Sequence, residues 1–437
     1  MRTPSGLRVL LGLFAALSLF ATACGDDDDE EPAGGDGTTT TTEAATSDNT
    51  GNGELKIGYL LPESGDLSQL GPPMVRAVEM AVEEINAAGG VLAKNIVLVG
   101  EDDGTDPEVA GAGADTLLAD DVDFIVGPAG STVALSVLDK ITGAGIPMCS
   151  PSNTGVQFTT VDDNGGYYFR TAPPDNLQAQ VLADLIVEDG HQNVVVTAQS
   201  TEYGEGFAGY LVDELNALGA TAPDPIVYDA EAGSYQAEAE QIAAEDPDAV
   251  AVISYAEGAQ VITSAIAEGV GPKDGVQWYG ADGIQGSTFW ESVDADDPTV
   301  VEGIRGTAPS AAPADGEETF RQRFEAFAPG VDTIYSGHAY DCVALAALAA
   351  TAAESDAPAD IQAGIIDASG EGEKCTLVAD CFELIAAGTD GDYDGAAGPL
   401  DFIEAGEPGS GAYDTWTFDA AGAVVVIEES IPVALDE

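Results

Sequence analysis

Two short stretches place hydroxyl side chains directly after apolar runs that are typical of buried strands. In the first, the run Phe124 to Val126 leads into "GPAGST", which ends with Ser131 and Thr132 where a helical pattern begins. In the second, "IPMC" leads into "SPSNTG", which contains Ser152 and Thr154. A turn between a strand and a helix can expose a nucleophilic serine, hold a phosphate or bind a carboxylate.

A serine nucleophile would need glycines two residues before and two residues after Ser131, and those positions hold Ala129 and Val133. It would also need a general base, and the chain has only 2 histidines. His191 falls in a predicted loop, where a solvated histidine is expected. His338 falls at a predicted helix start, where a capping or packing role is expected. The sequence therefore disfavours a secreted hydrolase, and no catalytic residue is predicted.

A phosphate site is disfavoured because no phosphate-binding glycine-rich motif occurs and no basic residue lies near the first turn. A carboxylate fits better, since hydroxyl groups and unpaired helix N–H groups form a neutral cradle. Such a cradle suits one end of a zwitterion, and "YGADG" offers Asp282 for the ammonium end. Tyr203, Tyr255 and Tyr335 follow comparable strand ends, although each could also be a structural loop aromatic.

The charge of the chain is strongly negative and excludes one class of function. Its 437 residues contain 12 Lys and Arg against 78 Asp and Glu, which gives a net charge of −66. Such a chain cannot neutralise a phosphate backbone, so nucleic-acid binding is not expected. The acidic surface favours solubility and, in some organisms, hydration in high salt.

Strands and helices alternate with short links from residue 54 onward, and the same alternation restarts after "YYFRTAPP". This pattern predicts an α/β fold with two doubly wound, parallel-sheet lobes. Ligands of such sheets bind at the carboxyl ends of the strands, so a cleft between the lobes is expected. The segment "YDTWTFDAAGAVVVIEE" predicts a β-ribbon that turns at residues 420–422.

The first residues resemble an export signal. Arg2 and Arg8 precede an apolar stretch, residues 9–20, which is too short to span a bilayer. The following "ATAC" resembles a bacterial lipobox that ends at Cys24, although Ala21 stands where Leu is usual. Lipidation of Cys24 would anchor the protein to the outer face of the plasma membrane. An ordinary signal peptide with an incidental cysteine is the alternative.

Residues 24–53 are rich in Asp, Glu, Gly and Thr, so we expect a disordered tether. A solvated acidic segment is favoured over a calcium site for its aspartate run, residues 26–29, because calcium ligands are spaced around a turn. Four further cysteines would lie in an oxidising compartment. Cys375 and Cys381 are close enough to close a small loop; Cys149 and Cys342 would pair by default, unless both are buried free thiols. Neither zinc-type spacing nor a cofactor motif occurs, so no metal and no cofactor is predicted.

From Leu55 onward the chain resembles type I solute-binding proteins of ABC transporters, and most closely the binders of branched-chain amino acids. The matching stretches occur in the family's order: "LPESGDLSQLGPP", "EEINAAGGV", "DDGTDPEVA", "FIVGPAGS", "SPSNTG", "YFRT", "EYGEG" and "YGADG". The family also includes binders of amides, urea and other amino acids. The resemblance therefore leaves open a receptor of the same fold for an amide or urea, or one that serves sensing.

Carried over by position, the resemblance implies a set of ligand contacts. Ser131, with the backbone of Ala129, would meet the ligand carboxylate, while Ser152 and Thr154 would meet the carboxylate and ammonium ends. The remaining positions would face the ammonium or the ligand side chain: Asp282, Tyr203, Tyr255, Tyr335 and Leu70. Two positions depart from the family, because Leu70 stands where Tyr is common and Asp282 is one methylene shorter than the usual Glu.

The resemblance also implies a division of the chain into six segments. They are a signal peptide (1–23), the tether (24–53), lobe 1 (54–170 and 305–398) and lobe 2 (171–304 and 399–437). Hinges would fall near residues 169–171, 304–306 and 399–400. The implied protein is an exported, lipid-anchored monomer that delivers an amino acid to ABC permease subunits.

Overall fold

The structure, a computed structural model, describes residues 49–310, 320–370 and 372–434, and all of them belong to a single unit of the chain. The predicted signal peptide, the lipidation site Cys24 and the tether up to residue 48 lie outside the described residues. Within the described ranges, no helix combines the length and the apolar character that crossing a membrane requires.

The first lobe is built on a five-stranded parallel sheet with the order β2-β1-β3-β4-β5. Helices lie in the connections, as the alternation of the sequence predicts. The strands are β1 (Lys56–Leu61), β2 (Val97–Asp102), β3 (Phe124–Val126), β4 (Met148–Ser150) and β5 (Tyr168–Arg170). The connecting helices are α1 (Gly71–Ala87), α2 (Pro107–Ala119), α3 (Ser131–Gly143) and a short 3-10 helix, Val156–Thr160.

The second lobe contains a seven-stranded sheet with the order β15-β14-β10-β9-β8-β6-β7. Its first strands are parallel, and the predicted ribbon adds two antiparallel strands at one edge. The strands are β6 (Val194–Gln199), β7 (Ile226–Tyr228), β8 (Ala249–Ile253), β9 (Gln277–Gly280), β10 (Arg305–Pro309), β14 (Ser410–Phe418) and β15 (Val424–Ala434). The helices are α4 (Asp175–Glu188), α5 (Glu202–Ala217), α6 (Gln236–Ala244), α7 (Gly258–Ala267) and α8 (Phe289–Asp294), with 3-10 turns at Asp282–Ile284 and Pro298–Val301.

The chain returns to the first lobe after β10, and residues 320–370 and 372–399 form four helices and a small sheet there. The helices are α9 (Phe320–Phe327), α10 (Ser336–Ala353), α11 (Pro358–Ala368) and α12 (Val378–Ala386). The small sheet contains β11 (Glu373–Cys375), β12 (Gly391–Gly395) and β13 (Gly398–Pro399). Helix α10 is almost wholly buried and packs on α1 and α11 in the core of this lobe. The strands of this small sheet were not predicted from the sequence.

The predicted boundary at residues 304/305 and the hinge at 304–306 are wrong. Arg305 pairs with Tyr279 of β9 on one side and with Thr417 of β14 on the other, inside the second sheet. The segment "GIRGTAPS" forms strand β10, so the chain leaves the second lobe only after Pro309. The other two crossings lie between β5 and α4 and between β13 and β14, next to the predicted hinges at 169–171 and 399–400.

Both expected disulfide pairings are present. Cys149 of β4 is joined to Cys342 of α10, and Cys375 of β11 is joined to Cys381 of α12. Both bonds lie in the first lobe, and all four cysteines are buried. The first bond therefore ties the helix core of this lobe to its central sheet, and the second closes a local loop.

Candidate functional site

A small cavity lies between the two lobes, at the carboxyl ends of the strands, where the topology of such sheets places ligands. Ten residues line it: Leu67, Leu70, Ala129, Ser131, Ser152, Thr154, Tyr203, Tyr255, Asp282 and Tyr335. All nine ligand contacts implied by the sequence are in this set, and only Leu67 was not expected. The structure thus brings the predicted residues together, while their role in binding stays a prediction.

The first hydroxyl cradle is formed where β3 turns into α3. Gly127 makes this turn with a φ of +108°, and a Cβ there would lie 2.0 Å from the carbonyl oxygen of Leu60. Helix α3 makes its first internal hydrogen bond from the Ala134 N–H to the Gly130 carbonyl, so the N–H groups before it have no partner within the helix. Buried Ser131 begins the helix and lines the cavity, so the hydroxyl and these N–H groups can bind an anion together.

The backbone groups of Ala129, which the resemblance implies as a carboxylate contact, are hydrogen-bonded within the protein in this structure. Its N–H donates to Asp103 Oδ2 at 3.3 Å, and its carbonyl accepts hydrogen bonds from the Ser152 hydroxyl (3.1 Å) and the Asn153 amide (2.7 Å). Asp103, directly after β2, is fully buried and accepts the hydrogen bond that the Ala129 N–H could otherwise donate to a ligand carboxylate. The donors that remain for a ligand carboxylate are the Ser131 hydroxyl and the N–H groups in the first turn of α3.

The second cradle, residues 150–155, follows β4 and is held by side chains behind it. The Ser150 hydroxyl accepts hydrogen bonds from the N–H groups of Ser152 (3.3 Å) and Asn153 (3.0 Å). The guanidinium of Arg170 donates to the carbonyls of Asn153 (3.1 Å) and Gly155 (2.8 Å). These bonds fix the turn so that the Ser152 and Thr154 side chains line the cavity.

Arg170 is paired with Glu407, and both side chains are almost completely buried. Arg170 Nε donates to Glu407 Oε2 at 2.8 Å, and the Thr159 hydroxyl donates to Glu407 Oε1 at 2.9 Å. Arg170 ends β5, just before the first crossing, and Glu407 precedes β14, in the third crossing. This ion pair therefore joins two of the three crossings to the second cradle.

Asp282 lies opposite the cradles, directly after β9. Its carboxylate accepts three side-chain hydrogen bonds, from Gln178 Nε2 (3.0 Å), the Tyr203 hydroxyl (3.3 Å) and the Tyr335 hydroxyl (2.7 Å). Burial raises the pKa of the Asp282 carboxyl above its ordinary value, while the donors of Tyr335, Gln178 and Tyr203 act in the opposite direction. The donors therefore favour the ionised form that an ammonium group needs.

A second buried carboxyl group, Asp175 in the first turn of α4, lies near Asp282. Neither of its oxygens accepts a hydrogen bond of ordinary geometry among the described residues. Burial and the negative charge of Asp282 raise the pKa of the Asp175 carboxyl well above its ordinary value, although Thr154 and Arg170 oppose this. Among the residues that the structure describes, no Lys or Arg lines the cavity. Asp282 is thus the acidic residue of the lining set, and without a facing cation its carboxylate favours a positively charged ligand group.

Aromatic and apolar side chains form the remaining walls. The rings of Tyr203 and Tyr255 stack with centroids 5.3 Å apart. Tyr335 precedes α10 with a φ of 55°, a backbone conformation that a bulky residue adopts only when its surroundings hold it there. Leu67 and Leu70, in the loop before α1, are buried and can contact the side chain of a ligand.

Hydrogen bonds join the two lobes across this cavity. Besides the bond from Tyr335 to Asp282, the Gln69 side chain donates to the Gly283 carbonyl at 3.0 Å. The backbone N–H of Glu202, at the start of α5, donates to the Thr132 hydroxyl at 3.2 Å. The lobes are therefore closed on each other, and a ligand in the cavity would be screened from water.

The two histidines take no part in the cavity. His191 is partly buried in the loop before β6, within 3.8 Å of the Asp248 carboxylate. His338 is buried in the first turn of α10, and burial lowers the pKa of its imidazole to about 3. Within the described residues, no group of three or more His, Cys, Asp or Glu side chains could hold a metal ion.

Several residues that shape the site were missed from the sequence. Asp175 follows "APP" at the start of a helix. An Asp at a helix start is usually a capping residue, so nothing in the sequence indicated that this carboxyl group is buried. Gln178, Arg170 and Asp103 act behind the lining residues. Only the three-dimensional packing shows that they contact the lining residues. Leu67 lies in "SGDLSQLGPP", which is part of one of the stretches that carry the resemblance to the family. Its position in that stretch was the one signal that could have identified it.

Known proteins resemble this chain over most of its length. The family model of the periplasmic binding proteins matches residues 54–422. A chemotactic signal transduction system substrate-binding protein of Halobacterium salinarum is 30% identical over 364 residues, which cover 81% of this chain and 85% of that protein.

Two solved structures share the fold of this chain. A leucine-binding protein of Thermotoga maritima superposes with a TM-score of 0.71 at 18% identity, covering 86% of this chain and 98% of that one. A solute-binding protein of R. palustris in complex with benzoate gives a TM-score of 0.69 at 20% identity, covering 88% and 98%.

Proposed function

Because this chain belongs to the periplasmic binding protein family, we propose that it binds a free amino acid between its lobes and delivers it to an ABC permease. The ligand carboxylate binds to Ser131 and the first turn of α3. The ligand ammonium binds to Asp282, with Thr154 as a further acceptor. No step of this function requires a cofactor or a covalent intermediate.

The observation that supports this proposal is the separation of charge across the cavity. One wall contains neutral donors, the Ser131 and Ser152 hydroxyls and helix N–H groups, and the opposite wall contains the buried carboxylate of Asp282. An α-amino acid carries its two charges on adjacent groups and matches both walls at once. A buried charge is tolerated when it is paired and hydrogen-bonded, and the ammonium supplies the missing partner of Asp282.

The apolar residues of the cavity favour an aliphatic ligand side chain. Leu67 and Leu70 are 3% and 2% exposed, and the stacked pair of Tyr203 and Tyr255 closes the other side. The cavity is also small in this structure, which disfavours a large ligand side chain. One methylene changes binding in an apolar pocket by only about 1–3 kcal/mol, so discrimination among aliphatic side chains is expected to be modest.

An aromatic acid or a neutral amide is a poorer match to the site. Benzoate, the ligand of one structural neighbour, carries no cation and would leave Asp282 unpaired beside the Asp175 carboxyl group. A neutral amide or urea would also leave a buried carboxylate without a charged partner. A buried unpaired charge costs about 3–5 kcal/mol, which is enough to disfavour these ligands by two orders of magnitude or more.

A second candidate function is sensing, in which the protein with its bound ligand signals to a receptor instead of delivering the ligand to a permease. The relative from Halobacterium salinarum is named for chemotactic signal transduction, and the match covers most of both chains. The binding chemistry is the same in either role, so the cavity cannot separate them. Deleting the gene and measuring amino acid uptake and chemotaxis in parallel separates the two: loss of uptake supports transport, and loss of chemotaxis alone supports sensing.

A thermal-shift screen of the purified protein tests the proposed ligand class. We expect leucine, isoleucine or valine to raise the unfolding temperature, because a ligand that binds only the folded state stabilises it by mass action. Benzoate, leucinamide and urea are the matched non-zwitterionic ligands and should leave the temperature unchanged. Stabilisation by one of these three, without any stabilisation by an amino acid, would overturn the proposal.

We further infer that Cys24 is lipidated and anchors the protein outside the plasma membrane. The support is the "ATAC" sequence at the end of a short apolar run. Cys24→Ser should move the protein from the membrane fraction to the medium or periplasm, as seen by fractionation of cells that express each form. Equal distribution of the wild type and the variant would show that Cys24 is not the anchor.

A further inference from the structure

The first two turns of α10, together with Tyr335 before them, contact three parts of the molecule: the second lobe, the first crossing and strand β4. The relative positions of these parts matter when the lobes close. At the start of the helix, the Tyr335 hydroxyl donates to Asp282 on the other lobe at 2.7 Å. One turn later, the carbonyl of His338 accepts a hydrogen bond from the Thr171 hydroxyl at 2.9 Å. After one further turn, Cys342 is bonded to Cys149 of β4.

The disulfide attaches α10 to the strand that leads into the second cradle. Cys149 is followed directly by Ser150, whose hydroxyl organises the N–H groups of the 150–155 turn. The same hydroxyl donates to the carbonyl of Pro128, in the first cradle, at 2.6 Å. Both cradles are therefore connected through Ser150 to the residue that forms the disulfide.

Thr171, in the first crossing between the lobes, also contacts the start of α10 and the disulfide. It directly follows Arg170, is 1% exposed, and its hydroxyl oxygen lies 3.6 Å from the sulfur of Cys342. The chain changes lobes between this residue and the start of α4 at Asp175. A rotation of the lobes therefore acts directly next to the disulfide and next to the first turn of α10.

Tyr335 depends on its surroundings for its orientation. Its backbone is left-handed, with a φ of 55° and a ψ of 3°, which a tyrosine does not adopt without tertiary support. Its hydroxyl bonds to Asp282 only when the lobes are closed, because the two residues belong to different lobes. Any movement of the first turn of α10 against β4 would therefore misplace this hydroxyl.

We propose that the Cys149–Cys342 disulfide is a positioning element for ligand binding: it fixes the start of α10 on β4 so that Tyr335 meets Asp282 when the lobes close. This inference rests on the proposed function, since it assigns a role within the same site. The disulfide touches no ligand and acts through Tyr335. Its contribution to affinity is therefore separable from its contribution to folding.

The second disulfide provides a matched control. Cys375–Cys381 lies in the same lobe and is also buried, but it joins β11 to α12 and none of its residues lines the cavity. Removal of either bond should lower the unfolding temperature, because both bonds constrain the unfolded chain. Only removal of Cys149–Cys342 should change what Tyr335 contributes to binding.

A double-mutant cycle with leucine as the probe tests the coupling by calorimetry. We expect Tyr335→Phe to weaken binding about tenfold in the wild type and only about twofold in Cys149→Ala/Cys342→Ala, a coupling of the size found for residues that act as a unit. Cys149→Ala/Cys342→Ala alone should weaken binding about fivefold or more, and Cys375→Ala/Cys381→Ala by less than about twofold. If Tyr335→Phe weakens leucine binding by the same factor in the wild type and in Cys149→Ala/Cys342→Ala, the inference is overturned.

Hydrogen exchange of the ligand-free protein tests the same claim without any ligand. Cys149→Ala/Cys342→Ala should speed exchange of the α10 amides from Ala339 to Ala346 relative to those of α12, and Cys375→Ala/Cys381→Ala should show the reverse. If no amino acid binds the wild type, the proposed function fails, and this exchange pattern still decides the positioning role. Unchanged protection of these α10 amides would contradict it.

A third variant covers the case in which the disulfide-free protein does not fold. Thr171→Val keeps the shape of the side chain but removes the hydrogen bond to the His338 carbonyl, while the disulfide stays intact. In a cycle with Tyr335→Phe, we expect the two substitutions to be coupled by at least about threefold in affinity. Full additivity of their effects would show that the start of α10 does not act as the proposed unit.

Discussion

Asp282 is the residue on which the chemistry of the cavity depends. It is 4% exposed and accepts hydrogen bonds from a glutamine and two tyrosines, so it is oriented before any ligand arrives. Its neighbour Asp175 adds a second carboxyl group without a hydrogen bond of ordinary geometry. The site is thus preorganised for a cation, and its binding energy comes from compensating a charge that burial has made unfavourable.

Asp282→Asn should weaken amino acid binding by two to three orders of magnitude. The substitution keeps the shape but removes the charge, and breaking a buried charged pair costs about 3–5 kcal/mol. Ser131→Ala should cost less, about 1.5–3 kcal/mol, because the N–H groups of α3 remain. Calorimetry with leucine measures both.

Asp296→Asn is the matched control for Asp282→Asn, since it removes an exposed carboxylate of the same lobe that does not line the cavity. Binding by Asp282→Asn that equals binding by this control would remove Asp282 from the ammonium site.

At the scale of elements, the crossings between the lobes are organised by a buried ion pair. Arg170 and Glu407 come from the first and third crossings, and Arg170 also holds two carbonyls of the second cradle. The position of the cradle is therefore linked to the crossings about which the lobes would rotate. A binding protein that closes on its ligand needs such a connection between the site and the hinge.

Arg170→Met should destabilise the protein by about 3–5 kcal/mol, because Glu407 would remain buried without a partner. Adding Glu407→Gln should recover part of this loss, since the uncompensated charge disappears. Urea unfolding measures both effects.

The control for Arg170→Met is Lys273→Met, which breaks the half-exposed pair with Glu302 and should cost at most about 1 kcal/mol. A loss of stability in Arg170→Met as small as in this control would show that the buried pair does not stabilise the crossings.

The sequence predicted the site better than it predicted the boundaries between elements. Most of the nine contacts follow strand ends, and parallel sheets bring strand ends to one edge, so Ser131, Ser152 and Asp282 could be placed near one another without coordinates. Tyr335 was also expected after a strand, but it lies between α9 and α10. Strand β10 was mistaken for a hinge because "GIRGTAPS" lacks the long apolar run of the other strands. That the Ala129 N–H binds Asp103 could not be foreseen, since it depends on which buried carboxylate packs against the turn.

At the scale of the whole molecule, several of the many acidic residues are buried in the interior. Burial raises the pKa of Asp103, Glu257 and Asp341 to about 7, and that of Asp123 to about 6. The folded protein therefore holds protons that the unfolded chain, with ordinary pKa values near 4, would release. The high net charge adds repulsion that also increases with pH.

The stability of the ligand-free protein should fall as the pH rises from about 5 to about 8. In this window the folded state binds more protons than the unfolded state, so the free energy of unfolding decreases with pH. The decrease should be complete once the pH exceeds the raised pKa values. Unfolding temperatures measured across this range by calorimetry test it, and Asp341→Asn should flatten the profile. A protein that is more stable at pH 8 than at pH 5 would contradict this account of its buried carboxyl groups.

The most direct test of the central claim is a calorimetric comparison of one amino acid with analogues that lack one of its charges. The ligands are leucine, leucinamide without the carboxylate, and 4-methylpentanoate without the ammonium, or the same set built on the best ligand of the screen. The account predicts that leucine binds the wild type and that each analogue binds at least about 100-fold more weakly, because each leaves one wall of the cavity unpaired. It also predicts that 4-methylpentanoate binds Asp282→Asn more tightly than the wild type, since the unpaired carboxylate is then absent. Binding of 4-methylpentanoate or benzoate to the wild type as tight as that of leucine would contradict the claim that the cavity recognises a zwitterion.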